Sequence, residues 1–316
     1  MLLSVVVPCY NEEKNVHMFY DEVVKAFGDL MNKTELIFIN DGSNDQTLKN
    51  LKEVYATSPY HIQIVDFSRN FGKEAALLAG FQNSHGDYVA VIDADLQQRP
   101  EYVVKMLEIL KNHPEYDSVA AYQNKRKEGK IQIFFKDCFY QLINQITDVE
   151  LVHSASDFRV LKRKVVEAII SLPEKCRFSK GIFSWVGFNT CYIPYTVEKR
   201  ATGQSKWSFF QLVTYAIDGI VAFSTAPLVL SSVLGMLLFV ISMICFLIIV
   251  IKTLIWGDPV AGFPTLASLI LLLAGIQLLC IGVVGQYLAK NYTESKNRPV
   301  YIIKDIYKDG DNHENK

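Results

Sequence analysis

The chain has 316 residues, more than one compact core usually needs, so a catalytic domain with an appendage is expected. Its 32 Lys and Arg nearly balance 33 Asp and Glu, which excludes the global positive field of a nucleic-acid binder and leaves only local basic surface. The six cysteines (Cys9, Cys138, Cys176, Cys191, Cys245, Cys280) form no C-x-x-C pair and two lie in apolar runs, so a reducing setting is expected, not zinc or a disulfide framework.

The apolar start MLLSVVVPCYNEE lacks a basic flank and a small-residue cleavage site, so it reads as a first buried strand and not as a signal peptide. Strands are expected at Leu3–Val7, Glu35–Ile39, Ile62–Asp66 and Tyr88–Ile92, alternating with helical patterns, which implies βαβ units and a parallel sheet. Runs such as SVVV and YVAVI have no polar alternation, as strands covered on both faces require. Ligands of such a sheet bind at the carboxyl ends of its strands. Three polar clusters fall there: Pro8-Cys9-Tyr10-Asn11-Glu12, Asn40-Asp41-Gly42-Ser43 and Asp93-Ala94-Asp95.

In Asp93-Ala94-Asp95-Leu96-Gln97, an extended chain would put side chains i, i+2 and i+4 on one face. Asp93, Asp95 and Gln97 would then offer hard oxygen donors suited to Mg²⁺ or Mn²⁺ shared with substrate phosphates. Phe67-Ser68-Arg69-Asn70-Phe71-Gly72-Lys73 enters a helix; backbone N–H groups, Arg69 and Lys73 would meet a phosphate there, or the segment is a plain strand-to-helix turn. The basic run from Asn124 to Lys130, with Arg126 at its centre, leads into Phe134, Phe135, Phe139 and Tyr140. It reads either as a membrane-facing loop or as a solvated charge run.

Beyond Trp207 the chain turns apolar. Residues 208–225 suit an interfacial helix, and two spans are expected at about 227–251 and 265–288, each long enough to cross a bilayer. A short loop with Trp256, Gly257 and Pro259 joins them as a hairpin. Lys199, Arg200 and Lys206 precede the hairpin, and Lys290, Lys296, Arg298 and Lys304 follow it. This bias places the 1–207 domain and the 291–316 tail in the cytoplasm, at the cell membrane.

The segments VVVPCYNEE, NDGSNDQT, SRNFGKEAAL, DADLQ, SDFRVL and KRATGQSKW, in this order, resemble the family 2 glycosyltransferases of the GT-A fold. The resemblance is closest to the polyprenyl-phosphate branch, which includes dolichyl-phosphate mannose synthase and the bactoprenol glucosyltransferases. It implies an α/β GT-A domain with a mostly parallel sheet, followed by the two-helix hairpin. It also implies that Pro8, Tyr10, Glu12 and Asp41 hold base and ribose, that Lys73 and Asp93 also serve the nucleotide, and that Asp93, Asp95 and Gln97 hold the metal. Arg126, Arg200, Ser205 and Lys206 would meet donor or acceptor phosphate, and Asp157 and Arg200 would be catalytic. Asn40 stands where many relatives carry a second aspartate.

The implied reaction is inverting transfer of a hexose to undecaprenyl phosphate, for modification of a cell-wall or surface polysaccharide. UDP-glucose is the first-choice donor; UDP-N-acetylglucosamine, UDP-galactose and GDP-mannose stand behind it. A homotetramer is implied as well. A lipid phosphate is already largely dianionic at neutral pH, so Asp157 is expected to orient substrate more than to remove a proton, unless it merely caps the helix that follows. A processive polysaccharide synthase would need a bundle of spans and a Q-x-x-R-W motif, both missing from this sequence. An inactive scaffold would not need Asp93, Asp95, Asp157 and Arg200 together.

Overall fold

The computed structural model describes residues 1–123, 155–196, 226–256 and 262–308. In chain order these are β1 (Leu3–Cys9), α1 (Val16–Phe27), a 3-10 turn (Gly28–Lys33), β2 (Thr34–Asn40), α2 (Thr47–Thr57), β3 (His61–Phe67), α3 (Lys73–Gln82) and β4 (Tyr88–Val91). Then come α4 (Glu101–Asn112), β5 (Ser118–Gln123), β6 (Ala155–Lys162), α5 (Arg163–Ser171), α6 (Ser179–Trp185) and β7 (Thr190–Tyr195). Two long helices, α7 (Ala226–Trp256) and α8 (Phe263–Ser295), precede a last strand, β8 (Ile303–Tyr307).

The strands form one sheet in the order β7-β5-β6-β4-β1-β2-β3-β8. Its centre, β3-β2-β1-β4, is parallel, and β6 and β8 close it antiparallel on either side. The chain builds outward from β1 to β3 and then returns to the other side of β1 with β4, so the strand order reverses between β1 and β4. Crevices at the carboxyl ends of strands form at such a reversal.

Period-two alternation divides the core into two layers. Val5, Val7, Leu36 and Phe38 face one side, where they meet Phe19 and Val23 of α1, Leu51 of α2 and Met106 of α4. Val6, Ile37 and Ile39 face the other, with Ala76 and Phe81 of α3, Val165 of α5 and Phe183 of α6. In α3 the seven residues Ala75–Phe81 are all buried, and a Cβ on Gly80 would lie 2.1 Å from Val6, so glycine lets this helix settle directly on β1.

The two apolar helices run past the expected spans at both ends. Lys252 and Lys290 do not stop them, because a charge at a helix end breaks no backbone hydrogen bond. Their large apolar side chains, among them Leu230, Met236, Leu278 and Ile281, face outward. Among the described residues one stretch, Leu273–Ser295, is long and apolar enough by itself to cross a membrane. The expected tail is not simply a tail: β8 pairs with β3, Ser68 N–H donates to the Ile302 carbonyl at 3.0 Å, and Tyr301 stacks on Phe67 at 4.9 Å. The end of α8 and the α/β domain therefore lie on the same side of any bilayer that α8 enters.

Candidate active site

The turns after β1 and β2 are knitted into one unit. Asn11 adopts φ 53°, its N–H donates to Ser43 Oγ at 3.0 Å, and its side-chain carbonyl accepts the Asn44 N–H at 2.9 Å. Glu12 N–H donates to Thr47 Oγ1 at 2.8 Å, while the Glu12 carboxylate accepts from Asn15 at 2.6 Å. Pro8 and Tyr10 are partly exposed at the rim of this unit.

Asp41 points the other way. Its carboxylate accepts the backbone N–H groups of Phe71 (2.6 Å) and Gly72 (3.0 Å), and burial raises its pKa against the pull of those two donors. Gly42, at φ 60°, lets the turn press on the Arg69–Asn70 backbone, where a Cβ would come within 2.3 Å. Two of the backbone donors expected to meet a phosphate at the start of α3, the Phe71 and Gly72 N–H groups, are thus taken up by Asp41. Asn40 Nδ2 donates to Asp66 at 2.6 Å inside the sheet. An aspartate at Asn40 would set two buried carboxylates against each other in this chain.

The chemical centre lies where β4, β6 and α3 meet. Lys73 Nζ sits 2.8 Å from Asp93 Oδ1 and 3.2 Å from Asp157 Oδ2, so one ammonium bridges two carboxylates from neighbouring strands. Burial opposes charge on Lys73, yet the two carboxylates raise its pKa and keep it cationic. Burial would likewise lift Asp157, but Lys73, Lys180 and Arg159 outweigh it and hold this carboxyl below its ordinary range. Asp157 Oδ1 is buried and has no hydrogen-bond partner among the described residues. The helix-cap reading of Asp157 fails, because the residue lies inside β6 and α5 begins only at Arg163.

The charges continue behind this pair. Arg159, two residues along β6, donates to the Ser156 carbonyl at 2.9 Å and lies 3.6 Å over the Phe183 ring; burial lowers its pKa to about 10. Glu74 accepts the Ser179 N–H at 2.9 Å and the Ser179 hydroxyl. Burial, with Asp157 nearby, pushes its pKa up to about 7 against the Ser179 donors.

Beyond β4 the chain is not extended. It turns at Ala94–Asp95, and Leu96 takes φ 59°, so the shared-face argument for Asp93, Asp95 and Gln97 does not hold. A turn replaces it, with Asp95 Oδ1 accepting the Gln97 N–H at 3.1 Å. The amide that grips Asp93 belongs to Gln98, which accepts the Asp93 N–H at 3.0 Å and donates to its Oδ2 at 3.1 Å. Gln98 is 5% exposed, a position that the sequence pattern did not mark.

Among the described residues no three His, Cys, Asp or Glu side chains gather closely enough to hold a metal alone. Asp93 and Asp95 still fit a hard cation of the Mg²⁺ kind, which takes one or two carboxylates and completes its shell with water and substrate phosphate. Both are partly exposed at the end of β4, where water and a substrate phosphate could complete such a shell. Arg126, Arg200, Ser205 and Lys206, the interfacial segment 208–225 and the basic run 124–130 lie outside the described residues.

Residues 4–170 match the family described as Glycosyl transferase family 2. A bactoprenol glucosyl transferase of Shigella phage SfV is 40% identical over 306 residues, covering 96% of this chain and 98% of the relative. A prophage bactoprenol glucosyl transferase homolog of Escherichia coli K12 is 37% identical over 98% of this chain and its own full length. Among solved structures, glucosyl-3-phosphoglycerate synthase from Mycobacterium tuberculosis, crystallised with Mn²⁺, uridine diphosphate and phosphoglyceric acid, superposes with a TM-score of 0.50 at 19% identity. It covers 70% of this chain and 76% of that one. At such identity the likeness speaks to the fold, a GT-A-like α/β domain with a mostly parallel sheet. A family match over more than half the chain, joined to relatives aligned over nearly their full length, makes this chain a glycosyltransferase of family 2.

Proposed function

We propose that this chain transfers glucose from UDP-glucose to a polyprenyl phosphate such as undecaprenyl phosphate, at the cytoplasmic face of the cell membrane. The observation that carries the reading is the 40% identity to a bactoprenol glucosyl transferase across 96% of the chain, α7 and α8 included. The α/β domain is the catalytic unit and α7 and α8 are a membrane-spanning hairpin, in keeping with their outward apolar side chains and the basic residues at its flanks.

In this reading Asp157, held ionised by Lys73, is a poor base, since efficient general bases have a pKa near the working pH. Its partnerless Oδ1 accepts a hydrogen bond from a sugar hydroxyl and orients the anomeric carbon. The dianionic lipid phosphate attacks that carbon directly, so no proton needs to leave, and one displacement inverts the configuration. Asp93 and Asp95 hold the divalent cation that, when bound, neutralises charge on the departing diphosphate. Gln98 and Lys73 keep Asp93 in place, Arg200 and Lys206 pair with the diphosphate or lipid phosphate, and Arg126 and Ser205 with the acceptor.

Membranes containing the protein, given undecaprenyl phosphate and labelled UDP-glucose, are expected to form a labelled lipid. A chelator should abolish it, and added Mg²⁺ or Mn²⁺ should restore it. Label incorporated only from UDP-N-acetylglucosamine, UDP-galactose or GDP-mannose would overturn the donor, and product indifferent to chelator would overturn the metal.

A further inference from the structure

The end of α8 is fastened to the catalytic domain at a place that the chemistry above does not use. Glu294, in the last turn of α8, accepts the Lys175 N–H with both carboxylate oxygens (2.9 and 3.0 Å) and the Cys176 N–H at 2.8 Å. These amides belong to residues 172–178, the strip between α5 and α6. Arg177 braces the strip by donating to the Ile169 and Leu172 carbonyls at 3.0 and 3.2 Å, closing it on the end of α5. The strip leads into Ser179, whose N–H and hydroxyl are both held by Glu74 of α3. Glu74 directly follows Lys73, the cation between Asp93 and Asp157. One short, braced piece of backbone is therefore clamped by a carboxylate from α8 at one end and by a carboxylate from the active-site helix at the other.

The consequence concerns distance. A phosphate carried by a lipid stays at the headgroup level, so its height is fixed relative to any helix embedded in the same bilayer. A water-soluble acceptor has no such constraint. Misplacing reacting groups by about 1 Å can cost about a hundredfold in rate. We propose that Glu294 is a positioning residue for the transfer, fixing the end of α8 against the Lys73–Asp157 pair so that a bilayer-held phosphate meets the sugar at the right height. The inference rests on the reading of a lipid phosphate acceptor and adds to it a residue outside the six sequence segments that carry the family resemblance.

The test uses full-length protein in lipid nanodiscs, as wild type, Glu294→Gln and Ser179→Ala, the last loosening the same strip from its other end. In both variants hydrogen exchange at residues 172–179 is expected to quicken about tenfold, the loss anticipated for weakened bonds to a charged acceptor. With UDP-glucose as donor, kcat/KM toward undecaprenyl phosphate in the disc should fall about tenfold. Toward a short, water-soluble prenyl phosphate it should stay within about twofold, as should the KM for UDP-glucose. Equal losses toward both acceptors, or wild-type exchange in the strip, would overturn the proposal. Wild-type protein that glucosylates neither acceptor would instead overturn the lipid-acceptor reading, and the proposal with it.

Discussion

Asp157 illustrates how neighbours set a residue's role. The same carboxylate in an apolar pocket would have a raised pKa and make a serviceable base; beside Lys73, Lys180 and Arg159 it stays anionic. Asp157→Asn keeps the shape but removes the charge that Lys73 grips and turns one of the two acceptor oxygens into an N–H donor. Its kcat is expected to fall about a hundredfold, the scale seen when one electrostatic contact to a transition state is removed. The KM for the nucleotide sugar should change little, and steady-state kinetics of the purified protein would check this. Near-normal turnover would show that Asp157 only supports the fold. The aspartate was legible from the SDFRVL motif. Its pairing with Lys73 was not, because the two are far apart in sequence and meet only when β6 lies beside β4 and α3 packs above them.

Helix α3 carries the next consequence. It is buried along most of its length, and its first turn bears Lys73, expected from the sequence to serve the nucleotide, and Glu74, to which the sequence assigns no role. Glu74 has a folded pKa of about 7 against an ordinary 4.5. Below that ordinary value folded and unfolded chains both hold the proton; between it and about 7 only the folded chain does. The Glu74 contribution to stability is therefore greatest at low pH and is lost as pH rises through this window. Melting temperatures between pH 4.5 and 8 are expected to show this decline in wild type and less of it in Glu74→Gln, whose amide oxygen still accepts from Ser179. The turn after β4 also belongs to this scale. A strand pattern puts Asp93, Asp95 and Gln97 on one face, but β4 stops at Val91, the chain turns at Ala94–Asp95, and the turn through the left-handed Leu96 brings Gln98, not Gln97, onto Asp93.

Across the whole molecule, the chain leaves the α/β domain, forms two long apolar helices and then returns. β8 completes the sheet edge beside β3, Tyr301 stacks on Phe67, and Lys52 lies 4.6 Å over the Tyr307 ring. A chain ending at Lys296 would keep every predicted site residue yet expose β3 as an edge strand and lose the aromatic stack, worth about 1 kcal/mol beyond its area. It is expected to melt several degrees lower and to aggregate more readily, while a chain ending at Lys308 should melt like the full chain. Thermal melting and size-exclusion chromatography would separate the two.

The sequence by itself determined the parallel core of the sheet, the clusters at its carboxyl edge, the family and the apolar helices. Each is written in local patterns: runs of β-branched residues, turn residues at strand ends, and long uncharged stretches. Tertiary structure alone decided which charges meet. Asp41 turns to the α3 loop instead of the open rim, Lys73 bridges Asp93 and Asp157, and Glu294 holds the strip before α6. These pairings join residues separated by up to 119 positions, and long-range contacts of this kind are fixed by which strands and helices pack together, not by any spacing along the chain.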